Sequence, residues 1–464
     1  DVLLLNNGML TYAGILPYDT VPNAEKLAGF SGLLADYGIP FLFVQAPIKI
    51  DIYGDLLPEG TSNSANANAD QMLDSLRKGG VNALDLRPFL TASAEMVAQN
   101  YFKTDHHWNA TGAFKGFQIV TQAILQQFPD QSVAGKFLDI NQWDRHVFPE
   151  WLLGSHGKRV GPYFTGVDDM EYYTPKTDPV MSLALPKYNR LYKGGYSETN
   201  LRKQYMKKKP DYFLENAYCL FIGGDYPLTL HRNASAPSDL KIMLVGDSYM
   251  LPMEGFLSTI FKEIDVVDPR YFKECSMAEY VKRTGPDMVV LMFNPTALSD
   301  PLFFSYGVEE VQKAESENHL LKSATPGESF AIEDGFAAKA AGKLATLSFA
   351  LKKDLTLPQG AVIQFEGLMA DGTGYGVAVP NGDCIRTGDR YACTVRFPRG
   401  LAQLRRVALL SEDSPAMLEP KLELGRDATP WSVCPAERED GPKTLVNDAD
   451  MQVAEKDKDL NYIT

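Results

Sequence analysis

The sequence predicts an α/β fold built on a doubly wound parallel sheet and followed by an antiparallel β-sandwich, and three observations carry that prediction. In the first third, amphipathic helical stretches alternate with short apolar runs, each pair separated by glycine. Residues 240–295 then read strand, helix, strand, helix, strand in quick succession. After about residue 325 the texture changes to short alternating runs divided by Gly, Pro and Asp turns.

The elements follow in order. NAEKLAGFSGLLADYG has apolar residues at helical spacing and stops at Gly38, and IPFLFVQAP reads as a buried strand. NADQMLDSLRKGG predicts a second helix and VNALDLRPFL a second strand with its loop, while 111–128 predicts a buried helix. From 139 to 238 the pattern weakens and aromatics crowd, which predicts an insertion or lid on the sheet. Its basic run LRKQYMKKKP reads either as a solvated face or as a patch for an anionic sugar. LKIMLVGDSYM restores the strand pattern, followed by a helix over MEGFLSTIFKEI, a strand at IDVVDP, a helix at SMAEYVKRTGP and a strand at DMVVLMFNP. The expected organisation is an α/β domain over 1–325, a sandwich over 326–435 and a charged, aromatic-poor tail over 436–464.

Composition narrows the function. With 464 residues and 45% hydrophobic content there is enough apolar material for more than one core. The net charge of −14 repels phosphate backbones and anionic headgroups, which disfavours nucleic-acid and peripheral-membrane roles. No run approaches the apolar length of a membrane helix, so the chain reads as cytosolic or as exported with its signal removed. The five cysteines show no paired metal-ligand spacing. Cys384 and Cys393 bracket a hairpin turn and read either as a cross-strand disulfide or as two separate thiols.

Two segments carry chemistry. In YFKTDHHWNATGAF, Asp105 and His107 are two apart, so in an extended segment both side chains emerge on one side and His106 on the other. A carboxylate beside an imidazole fixes its tautomer and leaves the far nitrogen free to take a proton. In IMLVGDSYM, Ser248 ends a buried strand at the turn into a helix, where open α/β sheets build their sites. Gly246 is expected to permit the turn, and N–H groups at the helix start would face a developing oxyanion. A serine needs a base, and His107 is the best candidate in the chain. Asp and Ser at that turn also serve as ordinary helix caps, and Asp-His-His is also compatible with a metal site.

TDHHWN with a downstream GDSY, together with APIKIDIYGDLLP, LDLRPFL and LLGSHGKRVGPY in order over about 1–300, resembles the DHHW proteins. These are relatives of the alginate acetylation proteins in the SGNH hydrolase superfamily. The resemblance implies a circularly permuted SGNH arrangement, with Asp105 as orienting acid, His107 as general base and Ser248 as nucleophile. It implies oxyanion or substrate contacts from Gly246, Tyr249 and Asn294, although a plain turn role fits Asn294 too. It further implies a polysaccharide O-acetyltransferase or acetylesterase that needs no cofactor. Such a protein would work outside the cytoplasmic membrane, beside a membrane-bound O-acyltransferase that supplies acetyl groups. A non-catalytic polysaccharide-binding or assembly protein and a metal-dependent hydrolase on Asp105, His106 and His107 are the competing readings. KLELGRDATPW resembles the closing strand of jelly-roll, carbohydrate-binding modules, where Trp431, Tyr375 and Tyr391 would stack on sugar rings or, for Trp431, plug the core.

Overall fold

The computed structural model describes residues 2–131, 136–317, 321, 329–332, 335–352, 355–387, 390–410 and 416–425. The chain divides into two compact units, the first ending at Gly307 and the second beginning at Val308.

The first unit opens with a hairpin of β1 (Val2–Leu4) and β2 (Leu10–Tyr12). Its main sheet uses β3 (Phe41–Gln45), β4 (Ala83–Asp85), β7 (Met181–Leu185), β8 (Arg190–Gly194), β9 (Leu228–Asn233), β10 (Ser238–Gly246), β11 (Phe261–Val267) and β12 (Met288–Phe293). The strand order is β4-β3-β12-β10-β11-β9-β7-β8. Neighbours from β4 through β11 run parallel, while β9, β7 and β8 are antiparallel. Every residue of β3 and β12 is buried, as expected for strands covered on both faces. A separate hairpin of β5 (Trp143–Leu152) and β6 (Asp168–Pro175) stands outside this sheet.

The helices form where their stripes and caps predict. Val21–Asp36 has proline in its first turn and buries Leu27, Phe30, Leu33 and Leu34. Ala110–Gln126 is capped by the Asn109 side chain, which accepts from the Gly112 N–H, and buries Phe114, Phe117, Val120 and Ile124. Met277–Thr284 starts on the Ser276 cap and ends at Gly285, whose φ of 55° is left-handed.

Two expectations need correction. The sheet is mixed rather than purely parallel, because 139–238 is not only an insertion: it contributes β7, β8 and β9 to the sheet itself. The alternation of buried residues along β7 carries the period of a strand, but each run is short and embedded among aromatics and turns. The helix expected over MEGFLSTIFKEI ends at Leu257, and its last residues begin β11, since Phe261 and Ile264 pack as strand residues in the core.

The second unit holds two four-stranded antiparallel sheets. One has the order β13-β19-β15-β16, from β13 (Ser329–Ala331), β15 (Val362–Met369), β16 (Gly374–Pro380) and β19 (Leu401–Leu410). The other has β17-β18-β14-β20, from β14 (Leu344–Ala350), β17 (Ile385–Thr387), β18 (Arg390–Arg396) and β20 (Leu418–Leu424). Leu347, Phe349 and Leu422 from one sheet share a core with Ile363, Phe365 and Val407 from the other. Tyr391 is part of that core: its ring is buried and stacks on Phe349 at 5.8 Å, so it presents no face to a sugar. Tyr375 is half-buried against Phe397. Trp431 and the tail lie outside the described residues. Cys384 and Cys393 are free thiols. The β17–β18 register pairs Ile385 with Ala392, which puts the two thiols opposite each other on the next rung, and they are in side-chain contact.

Candidate active site

The parallel strands determine where the serine stands. β10 ends at Gly246, and the chain turns through Asp247 and Ser248 into the helix Met250–Leu257. The buried Asp247 carboxylate braces this turn by accepting the Tyr249 N–H at 3.0 Å and the Asn294 N–H at 2.9 Å. Gly246 serves close approach rather than a left-handed turn. A Cβ there would stand 2.6 Å from the Met292 carbonyl of β12 and 2.5 Å from the Met250 side chain.

Asp105 and His107 lie on the loop before the helix Ala110–Gln126, drawn in by an isolated bridge between Tyr101 and Trp108. The Trp108 indole N–H donates to the Tyr249 carbonyl at 3.1 Å, and the Tyr249 hydroxyl donates to the His106 carbonyl at 2.7 Å. These reciprocal bonds lock the histidine loop onto the serine turn across 141 and 143 residues of sequence.

The three groups meet in a line. His107 Nδ1 lies 2.6 Å from Asp105 Oδ1, and His107 Nε2 lies 2.7 Å from Ser248 Oγ. Asp105 Oδ1 also accepts the His107 N–H, and its Oδ2 accepts the Ser155 N–H at 2.7 Å. Burial opposes the carboxylate's charge, but His106 and His107 beside it and the bonds from His107 hold its carboxyl well below the usual range. An ionised Asp105 keeps the proton on Nδ1, leaving Nε2 to accept from the serine hydroxyl. Ser248 is half-buried, so its oxygen remains reachable.

The expected oxyanion contacts sort differently. The Tyr249 N–H is spent on Asp247, and its ring is buried. Asn294 takes the turn role: its Oδ1 caps the following turn by accepting the Thr296 N–H and hydroxyl, each at 3.0 Å. That leaves its amide nitrogen, which bonds the Tyr12 side chain. The Ser248 N–H has no acceptor among the described residues and stands at the start of the helix.

Several residues at the site were not among those expected from the sequence. Tyr218, from the region expected to be a lid, stacks on the His107 ring at 4.0 Å and 12°, and its hydroxyl donates to the Ser248 carbonyl at 3.0 Å. Ser155 Oγ lies 2.7 Å from His106 Nδ1. Tyr12 packs edge-on to His156 at 4.6 Å. Burial pushes His156 down to about 4 and His106 well below the usual range, so both rings are neutral at pH 7. Only Ser155 and His156 had any foreshadowing, inside the LLGSHGKRVGPY segment; nothing in the composition around Tyr218 marks it. Tyr218→Phe keeps the ring stack and loses the bond to the Ser248 carbonyl. The expected loss is about 1 kcal/mol of unfolding free energy, read from the urea midpoint, and an unchanged midpoint would show that this bond contributes nothing.

Asp105, His106 and His107 offer ligand atoms within 4.8 Å of one another, the spacing a metal would use. The atoms are otherwise engaged: Asp105 receives three hydrogen bonds, and each Nδ1 has a partner of its own. A cation would have to break the line to Ser248 to bind there.

Residues 19–145 match the family model of the SGNH hydrolase-like domain of the acetyltransferase AlgX. Bacillus cereus PatB1 has a similar fold, with 21% identity, a TM-score of 0.55, and 65% of this chain and 98% of that chain covered. PatB1 with a sulfonyl adduct gives 21% identity, a TM-score of 0.54 and coverage of 65% and 99%. A DHHW family protein from Eubacterium siraeum aligns at 18% identity and a TM-score of 0.46 over 67% and 97%. No curated protein sequence matches the chain.

Proposed function

We propose, from the AlgX-type domain match and the SGNH-like fold, that this chain is an O-acetyltransferase acting on hydroxyls of an extracellular or cell-surface polysaccharide. Ser248 is the nucleophile, His107 the general base and Asp105 the orienting acid. The observation that carries this reading is the continuous hydrogen-bonded line from Asp105 through His107 to Ser248. Pure binding has no use for a half-buried hydroxyl poised on an imidazole that is itself braced by a carboxylate.

In the first half-reaction His107 Nε2 takes the serine proton as Oγ attacks the acetyl carbonyl. The negative oxygen is met by the Ser248 N–H and the Asn294 amide. The intermediate then collapses, and the donor's leaving group departs with the proton from His107. In the second half His107 deprotonates a sugar hydroxyl, which attacks the acetyl-serine and frees Ser248. Water in place of the sugar makes the same site an acetylesterase, so the outcome depends on how well the acceptor is held and water excluded.

The setting follows from the same reading: an extracytoplasmic location, a membrane-bound O-acyltransferase as acetyl source, and a jelly-roll second unit that holds glycan. No helix among the described residues is long and apolar enough to cross a membrane. The test supplies an activated acetyl ester with and without an acceptor oligosaccharide. The transferase reading expects acetylated oligosaccharide by mass spectrometry and faster ester consumption when acceptor is present. Free acetate alone, at a rate indifferent to a range of acceptors, would move the assignment to esterase.

A further inference from the structure

Lys49 lies in the loop after β3 and is 1% exposed, yet it bears a charge-bearing amine that the acyl-transfer steps do not use. Its Nζ donates to three backbone carbonyls: Phe102 at 2.9 Å, Lys103 at 3.1 Å, and Asp105. All three donors of the ammonium are thereby spent on one short loop. Carbonyl dipoles from neighbouring residues repel when they converge, and a compact point charge is what permits it. From another direction the Asp168 carboxylate accepts the N–H groups of Lys103 and Thr104 and the Thr104 hydroxyl. The loop is therefore gripped by a cation on its carbonyls and an anion on its amides.

We infer that Lys49 is a positioning residue of the proposed reaction: by tethering the carbonyls of Phe102, Lys103 and Asp105, its ammonium fixes the loop from which the Asp105 carboxylate reaches His107. This rests on the acyl-transfer reading and deepens it. An ammonium buried without a contacting carboxylate among the described residues is costly, and a chain that needed only packing here would do better with Met or Leu. The groups that face it act in opposing senses. Burial pushes the amine down to about 8, while Asp168 and Asp105 favour its charged form. In return the ammonium depresses both His106 and His156.

A sign follows. Below about pH 8 the amine is charged and donates three hydrogen bonds; above it, one donor and the charge are lost and the tether loosens. Turnover is thus expected to decline as pH rises through that value. The experiment compares wild type, Lys49→Met and Lys49→Gln on a chromogenic acetyl ester across neutral to alkaline pH, with thermal melts to verify folding. Lys49→Met is expected to lower kcat by about tenfold to a hundredfold with KM nearly unchanged, as misplacement of a catalytic group does. Lys49→Gln, which keeps two donors, should recover part of the loss, and the alkaline decline should vanish in both variants. A folded Lys49→Met with wild-type kcat and the same alkaline decline overturns the inference. If Lys49→Met does not fold, Lys49→Gln and the wild-type profile decide: an alkaline limb kept in Lys49→Gln, or none in wild type, overturns it equally. Ser248→Ala run alongside separates the two levels. Its loss of turnover beside an unaffected Lys49→Met sinks only the role of Lys49, whereas its full retention sinks the reaction itself.

Discussion

Ser248→Ala is expected to reduce turnover of an acetyl ester by roughly 10⁴- to 10⁶-fold, the range seen when the nucleophile of a hydrogen-bonded triad is removed. The change deletes one oxygen, 2.7 Å from His107 Nε2, at a half-buried position, so the fold stays intact. Its stability cost should be no more than about 1 kcal/mol for a single lost hydrogen bond. Asp105→Asn should also be severe, about 10⁴-fold, because an amide facing Nδ1 favours the wrong tautomer of His107. The two effects should not add. Once the nucleophile is absent the acid has nothing to orient, so the double variant should match Ser248→Ala alone. Turnover and melting temperature for the three variants provide the check, and a Ser248→Ala protein retaining a tenth of wild-type turnover would remove the nucleophile from the proposal.

The second large effect falls on a backbone contact. Gly154→Ala is expected to destabilise the protein by about 3 kcal/mol or more and to cost turnover at the same time. The Gly154 φ of −71° suits any residue, so conformational strain is not the reason. Space is: a Cβ would stand 2.2 Å from Asp105 Cβ, 2.4 Å from its Cα and 2.6 Å from its nitrogen. These are backbone-anchored atoms that cannot swing aside as the tip of a long side chain would. The Gly154 N–H is also bonded to Thr104 Oγ1 at 2.8 Å, so separating the segments breaks that tie and the Ser155 bond to Asp105. Urea unfolding and ester kinetics on the variant are the test. A wild-type midpoint would mean that the two segments separate at no cost and that Gly154 does not define the position of Asp105.

Much of the first unit was legible because its signals are local. The stripe of Leu27, Phe30, Leu33 and Leu34 and the apolar run of β3 state a helix and a strand without reference to the rest of the chain. Asp105, His107 and Ser248 were legible for a related reason. A carboxylate and an imidazole two residues apart can meet, but the expected extended geometry does not hold: the segment is bent, and the His106 ring lies 3.8 Å from the His107 ring instead of on the opposite side. A polar turn after a buried strand is where such sheets expose chemistry. The antiparallel edge of the sheet was not legible, since β7, β8 and β9 are defined by whom they pair with, and pairing leaves only a short alternation in each strand. Tyr391 shows the same limit: an aromatic in a strand reads alike whether it faces sugar or core, and only the opposing sheet, with Phe349 beside it, assigns it to the core.

By itself the amino-acid order determined that two or more cores would form, that a parallel strand would carry a serine at its tip, and that a carboxylate and an imidazole would travel together. Tertiary structure alone decided what surrounds them: Tyr218 flat against the imidazole, Gly154 pressed on Asp105, and Lys49 gathering three carbonyls. The physical reason is range. Periodicity and turn chemistry act over a few neighbours along the chain, whereas close packing, burial and the convergence of dipoles on a charge depend on segments that meet only after folding.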